Sequence, residues 1–366
     1  MKVTSLAADL INISSLSGNE EAVFSFTKQW FEANNFDFSI QEDLFVAGRK
    51  FAKKHDKAVI LSGHLDTVTA GDKSLWSTSP TKANLQDGRL MGLGASDMKS
   101  AVAAQMLAVA EIRSAEYDLW VVAVGNEELD GSGSEAFMQW FEAEYDYKQA
   151  VCVIGEPTDL DRIEIGHRGN RFVSVRFSGL SGHASQQASF SESSLFAANV
   201  FLSNIDKIAK SLAGNYSDDL MGSPSIVPTV ISAGDADSPN KAAAITDIIL
   251  DIRTTPQLDE DFDSWFKQLA KEYNFEYNYV VPPVASSLCD KNSLLIKNMI
   301  SSSGIDNISI SKGATDQISF QSRGIDTVVF GPGEFSQAHK VDEFIYVDKL
   351  SHYKKILERF LTEFKF

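Results

Sequence analysis

Residues 58–64 read AVILSGH and residues 118–124 read DLWVVAV. Each is an apolar run of strand length, the pattern of a strand covered on both faces rather than on one. Between them a helical stretch is expected from 98 to about 115, and a third apolar run lies in QAVCVIGEP at 149–157. Residues 327–330 supply another near the far end of the chain. Short buried strands alternating with helices predict an α/β layer, with helices over both faces of a largely parallel sheet. Open sheets of this kind gather ligands beyond the C-terminal ends of their strands, so the polar residues that close these runs are the first candidates for function.

The pattern changes between about 171 and 281. RFVSVRFSG (171–179) reads as a strand, SLFAANVFLSNIDKIAKSL (194–212) as a helix, and IVPTVISAG (226–234) and AAAITDIILDIR (242–253) as strands. FDSWFKQLAKEY (262–273) then reads as an amphipathic helix and FEYNYVV (275–281) as a last strand. The order βαββαβ fits a small ferredoxin-like α+β domain of four antiparallel strands with two helices on one face. Sheet-like sequence resumes after it, so it is expected as an insertion at 171–281 in a domain made of 1–170 and 282–366.

Composition narrows the partners. In 366 residues, 50 acidic side chains face 33 basic ones, a formal charge of −17. That excess repels polyanions, so neither nucleic acid nor an anionic membrane surface is expected as a partner. No run approaches about 18 uninterrupted apolar residues, and the opening segment does not read as a secretory signal. Cys152 and Cys289 are the two cysteines, and Cys152 lies in an apolar run where a buried free thiol is expected. A reducing, cytoplasmic setting follows as the expectation.

Acidic residues and histidines cluster at the strand ends. His64 and Asp66 alternate onto one side, so Asp66 can take one imidazole N–H while the other nitrogen binds a metal; the same pair also suits a turn hydrogen bond. Asp97 follows GLGAS and precedes a helix, where it is either a ligand or an N-cap. Glu127 and Glu128 close an apolar strand, a poor place for two charges unless a cation or a proton compensates them. Glu156 ends the next strand. His339, in GPGEFSQAHKVDEF, is either a further ligand or a surface hydrogen-bonding group. Imidazole and carboxylate donors without thiolate suit zinc, with cobalt or manganese as alternatives.

GHLDTV (63–68), GLGASDMK (92–99), GNEE (125–128), GEPT (155–158), SGHAS (181–185) and QAHKVDE (337–343) together resemble the M20 metallopeptidase and deacylase family, in the order that family shows them. The resemblance is closest to its acetylornithine deacetylase and succinyl-diaminopimelate desuccinylase group. It implies a zinc-peptidase-like catalytic domain with an inserted lid or dimerisation domain, two divalent metal ions per subunit, and a homodimer. His64, Asp97 and Glu156 resemble the ligands of one ion and Asp97, Glu128 and His339 those of the other, with Asp97 bridging. Asp66 resembles the partner that orients His64, Glu127 the general acid/base, and His183 a group that reaches the active site of the partner subunit to stabilise an oxyanion.

The resemblance also implies substrate contacts from Asn240 and from Thr315, Asp316 and Gly333 in two late loops; Arg253 is expected to serve as a carboxylate-binding fork or else in an internal ion pair. Gly331 and Gly333 suit close backbone approach rather than phosphate binding, since no P-loop lysine follows them. GHRGN at 166–170 and GATDQ at 313–317 look more like the deacetylase than the desuccinylase. The expected reaction is therefore hydrolysis of an N-acetyl-L-amino acid, N2-acetyl-L-ornithine being favoured. Desuccinylase, broader aminoacylase or dipeptidase activity, and a noncatalytic homodimeric binding protein, are the alternatives.

Overall fold

A computed structural model describes residues 2–51, 55–186, 192–311 and 313–366. The chain forms two compact units, one of Met1–Gly166, Leu288–Ser309 and Thr315–Phe366, the other of His167–Ser287 with Ile310–Ala314.

In the first unit the expected buried strands form the middle of a sheet. Asp118–Val124, Lys57–His64, Gln149–Ile154 and Asp326–Val329 lie side by side and parallel. Phe38–Gln41 and Phe45–Lys50 extend one side antiparallel, and Ile163–His167 joins Asp326–Val329 antiparallel on the other. The sheet is therefore mixed around a parallel centre. Helix Ser132–Glu144 packs Phe137, Met138 and Phe141 against Ile60, Trp120, Val122 and Cys152 on one face. Helix Lys99–Glu111 covers the opposite face so closely that a Cβ on Gly63 would lie 2.2 Å from Met98 Cε and 2.9 Å from Val102 Cγ2. All seven residues of Asp118–Val124 are buried, as a strand covered on both sides requires. Cys152 and Cys289 are free, buried thiols.

The central helix stops at Glu111, short of the expected 115. Ile112 turns extended, and Lys50 Nζ donates to the carbonyls of Val109, Ala110 and Ile112 at 3.3, 2.6 and 2.7 Å. A buried ammonium against the carbonyls of a helix's last turn is favourable on both dipole and hydrogen-bond grounds.

The second unit contains a four-stranded antiparallel sheet in the order Ser225–Ala233, Ile245–Thr254, Gly169–Ser178, Glu276–Tyr279. Val173, Val175, Phe177, Ile248, Leu250 and Ile252 alternate inward onto Phe201, Phe262 and Phe266 from the helices. Two details differ from expectation. The helix expected at 194–212 is two, Ser194–Ser203 and Ile205–Tyr216, because Asn204 leaves the helix and its Nδ2 donates to Val200 O at 2.8 Å. The strand expected from 242 begins at Ile245, while Lys241–Ala242 pairs instead with Gly182–His183 in a separate ribbon.

Candidate metal centre

Strand ends in the first unit bring the acidic residues together. His64 ends Lys57–His64, Glu127 and Glu128 follow Asp118–Val124, Glu156 follows Gln149–Ile154, and His339 lies in the loop beyond Asp326–Val329. Because those strands are parallel neighbours, their C-terminal ends open on one crevice. His64 Nε2 lies 3.1 Å from Asp97 Oδ1 and 3.5 Å from Glu156 Oε1. His339 Nε2 lies 2.9 Å from Glu128 Oε1 and 3.9 Å from Asp97 Oδ2. Asp97 thus faces both imidazoles. Donor atoms of His64, Asp97 and Glu128 all fall within 4.8 Å of one another, as do those of His64, Glu127 and Glu156.

The N-cap role weighed for Asp97 is not what the structure shows, whereas the turn hydrogen bond weighed for the His64–Asp66 pair is present through the Asp66 backbone carbonyl. Met98, not Asp97, occupies the N-cap of helix Lys99–Glu111, with no side-chain capping bond. His64 Nδ1 is closer to the backbone carbonyl of Asp66, at 3.0 Å, than to its carboxylate Oδ1, at 3.5 Å. The Asp66 carboxylate is occupied by the backbone N–H groups of Glu127 and Glu128, both at 3.2 Å.

Electrostatics sharpen the picture. Burial pushes the Glu127 and Glu156 carboxyls well above the usual range, the neighbouring carboxylates add to it, and the His64 charge only partly opposes it. Glu128 is raised for the same reason. Burial alone would lower the His64 imidazole, but Glu156, Asp66 and Asp97 outweigh it and hold it well above its ordinary value. Asp97 is the exception, since hydrogen bonding and charge from His64 overcome its burial and keep it low. Four carboxyl groups converging beside two imidazoles carry more negative charge than those imidazoles balance, and protons or cations must make up the difference.

Sequence reading gave no role to Glu343, the last residue of QAHKVDE. It is 1% exposed, and its carboxyl accepts from the backbone N–H groups of Gly94, Ser96 and Asp97 at 2.8, 2.7 and 3.0 Å, fixing the loop that presents Asp97. Burial pushes it up to about 8 against those donors. Its position in a quoted motif was the available signal, but nothing local pairs it with amides some 250 residues earlier. Lys349 likewise holds the His339 loop, donating to Asp159 and, at 2.9 Å, to Glu334 Oε1. The expected close approach of the glycines is present: a Cβ on Gly331 would lie 2.1 Å from Gly155 O and 2.4 Å from Glu156 O, and one on Gly333 2.2 Å from Ser96 O.

Of the expected substrate contacts, Asp316 lies in the first unit, 8% exposed, accepting from Ser134 Oγ at 2.6 Å, and burial raises it to about 6. Thr315 Oγ1 accepts from Gln317 N at 3.4 Å. The second unit brings His183 beside Asn240: His183 pairs with Lys241, and Ala184 N donates to Asn240 O at 2.8 Å. The His183 side chain is exposed, its Nδ1 2.8 Å from Ser185 Oγ. Arg253 spends its fork on Asp251, at 2.8 and 3.0 Å, so the internal ion pair is the arrangement found.

Residues 60–363 match the family model described as Peptidase family M20/M25/M40. The chain is 26% identical over 375 residues to an acetylornithine deacetylase of Vibrio vulnificus, covering 98% of this chain and 97% of that one. It is 25% identical over 398 residues to a probable succinyl-diaminopimelate desuccinylase of Staphylococcus aureus, covering 96% and 95%. Among solved structures, the M20 family metallo-carboxypeptidase Sso-CP2 of Sulfolobus solfataricus superposes with a TM-score of 0.76 at 17% identity, covering 100% of this chain and 99% of that one.

Proposed function

The chain belongs to peptidase family M20/M25/M40 and is a metal-dependent hydrolase, and on that premise we propose that it hydrolyses the amide of an N-acetyl-L-amino acid, N2-acetyl-L-ornithine first among them. The observation that carries the chemistry is the convergence of Asp97, Glu127, Glu128 and Glu156 on His64 and His339. We assign His64, Asp97 and Glu156 to one divalent ion and Asp97, Glu128 and His339 to a second, with Asp97 shared; the short distances from His64 to Asp97 and Glu156, and from His339 to Glu128 and Asp97, support this assignment. Nitrogen and carboxylate oxygen donors without thiolate favour zinc, with cobalt or manganese able to replace it. When bound, such ions acidify water and polarise a carbonyl.

Glu127 is the proton carrier in this reading. Its carboxyl is buried and its affinity for a proton is raised, so it can take a proton from the attacking water and return it to the departing amine nitrogen. Asp66 keeps the Glu127–Glu128 backbone in place through their amides. Asp316, Thr315 and Gly333 stand as the first unit's candidates for holding substrate, and Asn240 as the second's; Arg253, paired with Asp251, is not among them.

His183 is assigned as an oxyanion donor to the partner subunit of a homodimer. The edge strand Ser225–Ala233 supports such pairing, because it exposes Val227, Val230 and Ile231 by 50, 50 and 58% on an open sheet edge. Sedimentation should report a dimer, and Ile231→Lys should shift it toward monomer with a parallel fall in kcat. A monomeric wild-type enzyme with full activity would remove His183 from this role.

The acyl group is the finer claim, and relatives named for either reaction are about equally similar. Initial rates on acetylornithine, succinyl-diaminopimelate, other N-acetyl amino acids and dipeptides, with zinc or cobalt added, test it. Acetylornithine or another N-acetyl amino acid should give the highest kcat/KM; preference for the succinyl substrate would replace the deacetylase assignment with the desuccinylase.

A further inference from the structure

The turn that carries Glu127 and Glu128 has no regular secondary structure, yet every backbone N–H from 126 to 131 is used. The N–H groups of Leu129, Asp130 and Gly131 all donate to Asn126 O, at 3.3, 3.1 and 2.9 Å. Those of Asn126, Glu127 and Glu128 point outward to two buried carboxyl groups, Glu20 Oε1 at 3.2 Å and the two Asp66 oxygens at 3.2 Å each. Glu20 and Asp66 are 5% and 0% exposed. Asn126 itself sits in the left-handed region, φ 56°, which Asn adopts more readily than other residues with a side chain.

Both carboxyls are held by the N-terminal segment. Ser17 Oγ donates to Asp66 Oδ2 at 2.7 Å, and Gly18 N donates to the same Glu20 oxygen that receives Asn126 N, at 2.9 Å. The segment is laced to the residues after His64, with Ser17 N donating to Thr67 O at 3.2 Å, Thr67 N to Ser15 O at 2.9 Å and Ser15 Oγ to Leu65 O at 2.6 Å. Gly125 completes the fit, since a Cβ there would lie 2.9 Å from Glu20 Oε1. Ser17 and Glu20 lie outside the residues matched by the family model.

We infer that Ser17 and Glu20 are positioning residues for the reaction. By taking the amides of 126–128 on the outer side of the turn, Glu20 and the Ser17-held Asp66 keep those amides from folding back onto the Glu127 and Glu128 carboxylates. The two side chains stay free, one for proton transfer and one for ligation, in a fixed register. An acid/base group displaced by about 1 Å costs on the order of 100-fold in rate even when the mutated residue is remote from the chemistry. Ser17 acts through Asp66 and Glu20 through Asn126; neither needs to touch substrate.

This inference rests on Glu127 as the proton carrier, and the test separates the two. Glu20→Ala, Glu20→Gln, Ser17→Ala and Ser17→Thr are compared with wild type as zinc- or cobalt-loaded enzyme, on the best substrate of the panel above. Metal stoichiometry and hydrogen–deuterium exchange of the peptide spanning 120–131 are read alongside kcat and KM. Glu20→Ala should lower kcat about 10- to 100-fold with KM within about threefold, metal content unchanged and exchange in 126–128 accelerated. Ser17→Ala should lower kcat less, and Ser17→Thr, which keeps the hydroxyl, should recover it. If Glu20→Ala does not fold, Glu20→Gln, which keeps an acceptor oxygen but weakens it, and Ser17→Ala carry the decision through the same exchange readout. Full kcat in folded variants, or slow exchange unchanged from wild type, overturns the inference. Loss of activity in strict proportion to loss of metal does so too. An active Glu127→Gln would instead overturn the assignment of Glu127 and leave the exchange result to stand on its own.

Discussion

Replacing Glu127 by glutamine should lower kcat by about 100-fold or more while leaving most of the bound metal in place. Glutamine keeps the shape and an acceptor oxygen but cannot carry the proton. Glu127 is not among the five residues assigned to the two ligand sets, so the loss should fall on kcat, and KM should change little. The Asp66-to-amide bonds that set its backbone involve the main chain of Glu127 and survive the substitution. Because Glu127 also has a donor oxygen near His64 and Glu156, metal analysis of the variant decides between its two possible roles. Retained metal with lost turnover identifies a proton carrier, whereas loss of both together identifies a ligand.

Chelation should have the second large effect. Dialysis against a chelator should take hydrolysis to background, and zinc or cobalt should restore it. Stability should respond as well, since metal at a hundredfold excess over its Kd adds about 2.7 kcal/mol to the folded state. In the metal-free protein, Glu127 and Glu156 hold protons more tightly folded than unfolded. Such raised groups favour folding only while protonated, so stability should fall as pH rises from the ordinary carboxylate range toward their raised values. Bound metal should flatten that fall. A denaturation series against pH, with and without metal, checks both signs; identical curves would remove the metal from this cluster.

The fold class was legible because the central strands are apolar on both faces, and a strand such as Asp118–Val124 leaves little other reading. Phe38–Gln41 and Phe45–Lys50 were not legible as strands. Gly48, an apparent weak point, is required there because Phe31 and Phe36 lie 2.7 and 2.8 Å from where its Cβ would be. The break at Asn204 was hidden for a related reason: a side chain bonding back to the carbonyl four residues earlier looks, in sequence, like one more helical position. Arg253 shows the converse, a fork that chemistry could have offered to a carboxylate and that a neighbour on its own strand, Asp251, takes.

Residue type and order along the chain were enough to reach an α/β layer with acidic and imidazole groups at its strand ends, because apolar periodicity is a local property, and the resemblance of its short motifs to a known family supplied the hydrolase. Which donors each carboxylate meets was decided by folding. Glu343 beneath Asp97, Glu20 beneath Asn126, and Asp66 turned toward amides rather than chiefly toward His64 are pairings across tens to hundreds of residues. A buried carboxyl is stable only beside the donors that the tertiary structure brings to it, and no local pattern in the chain records which donors those will be.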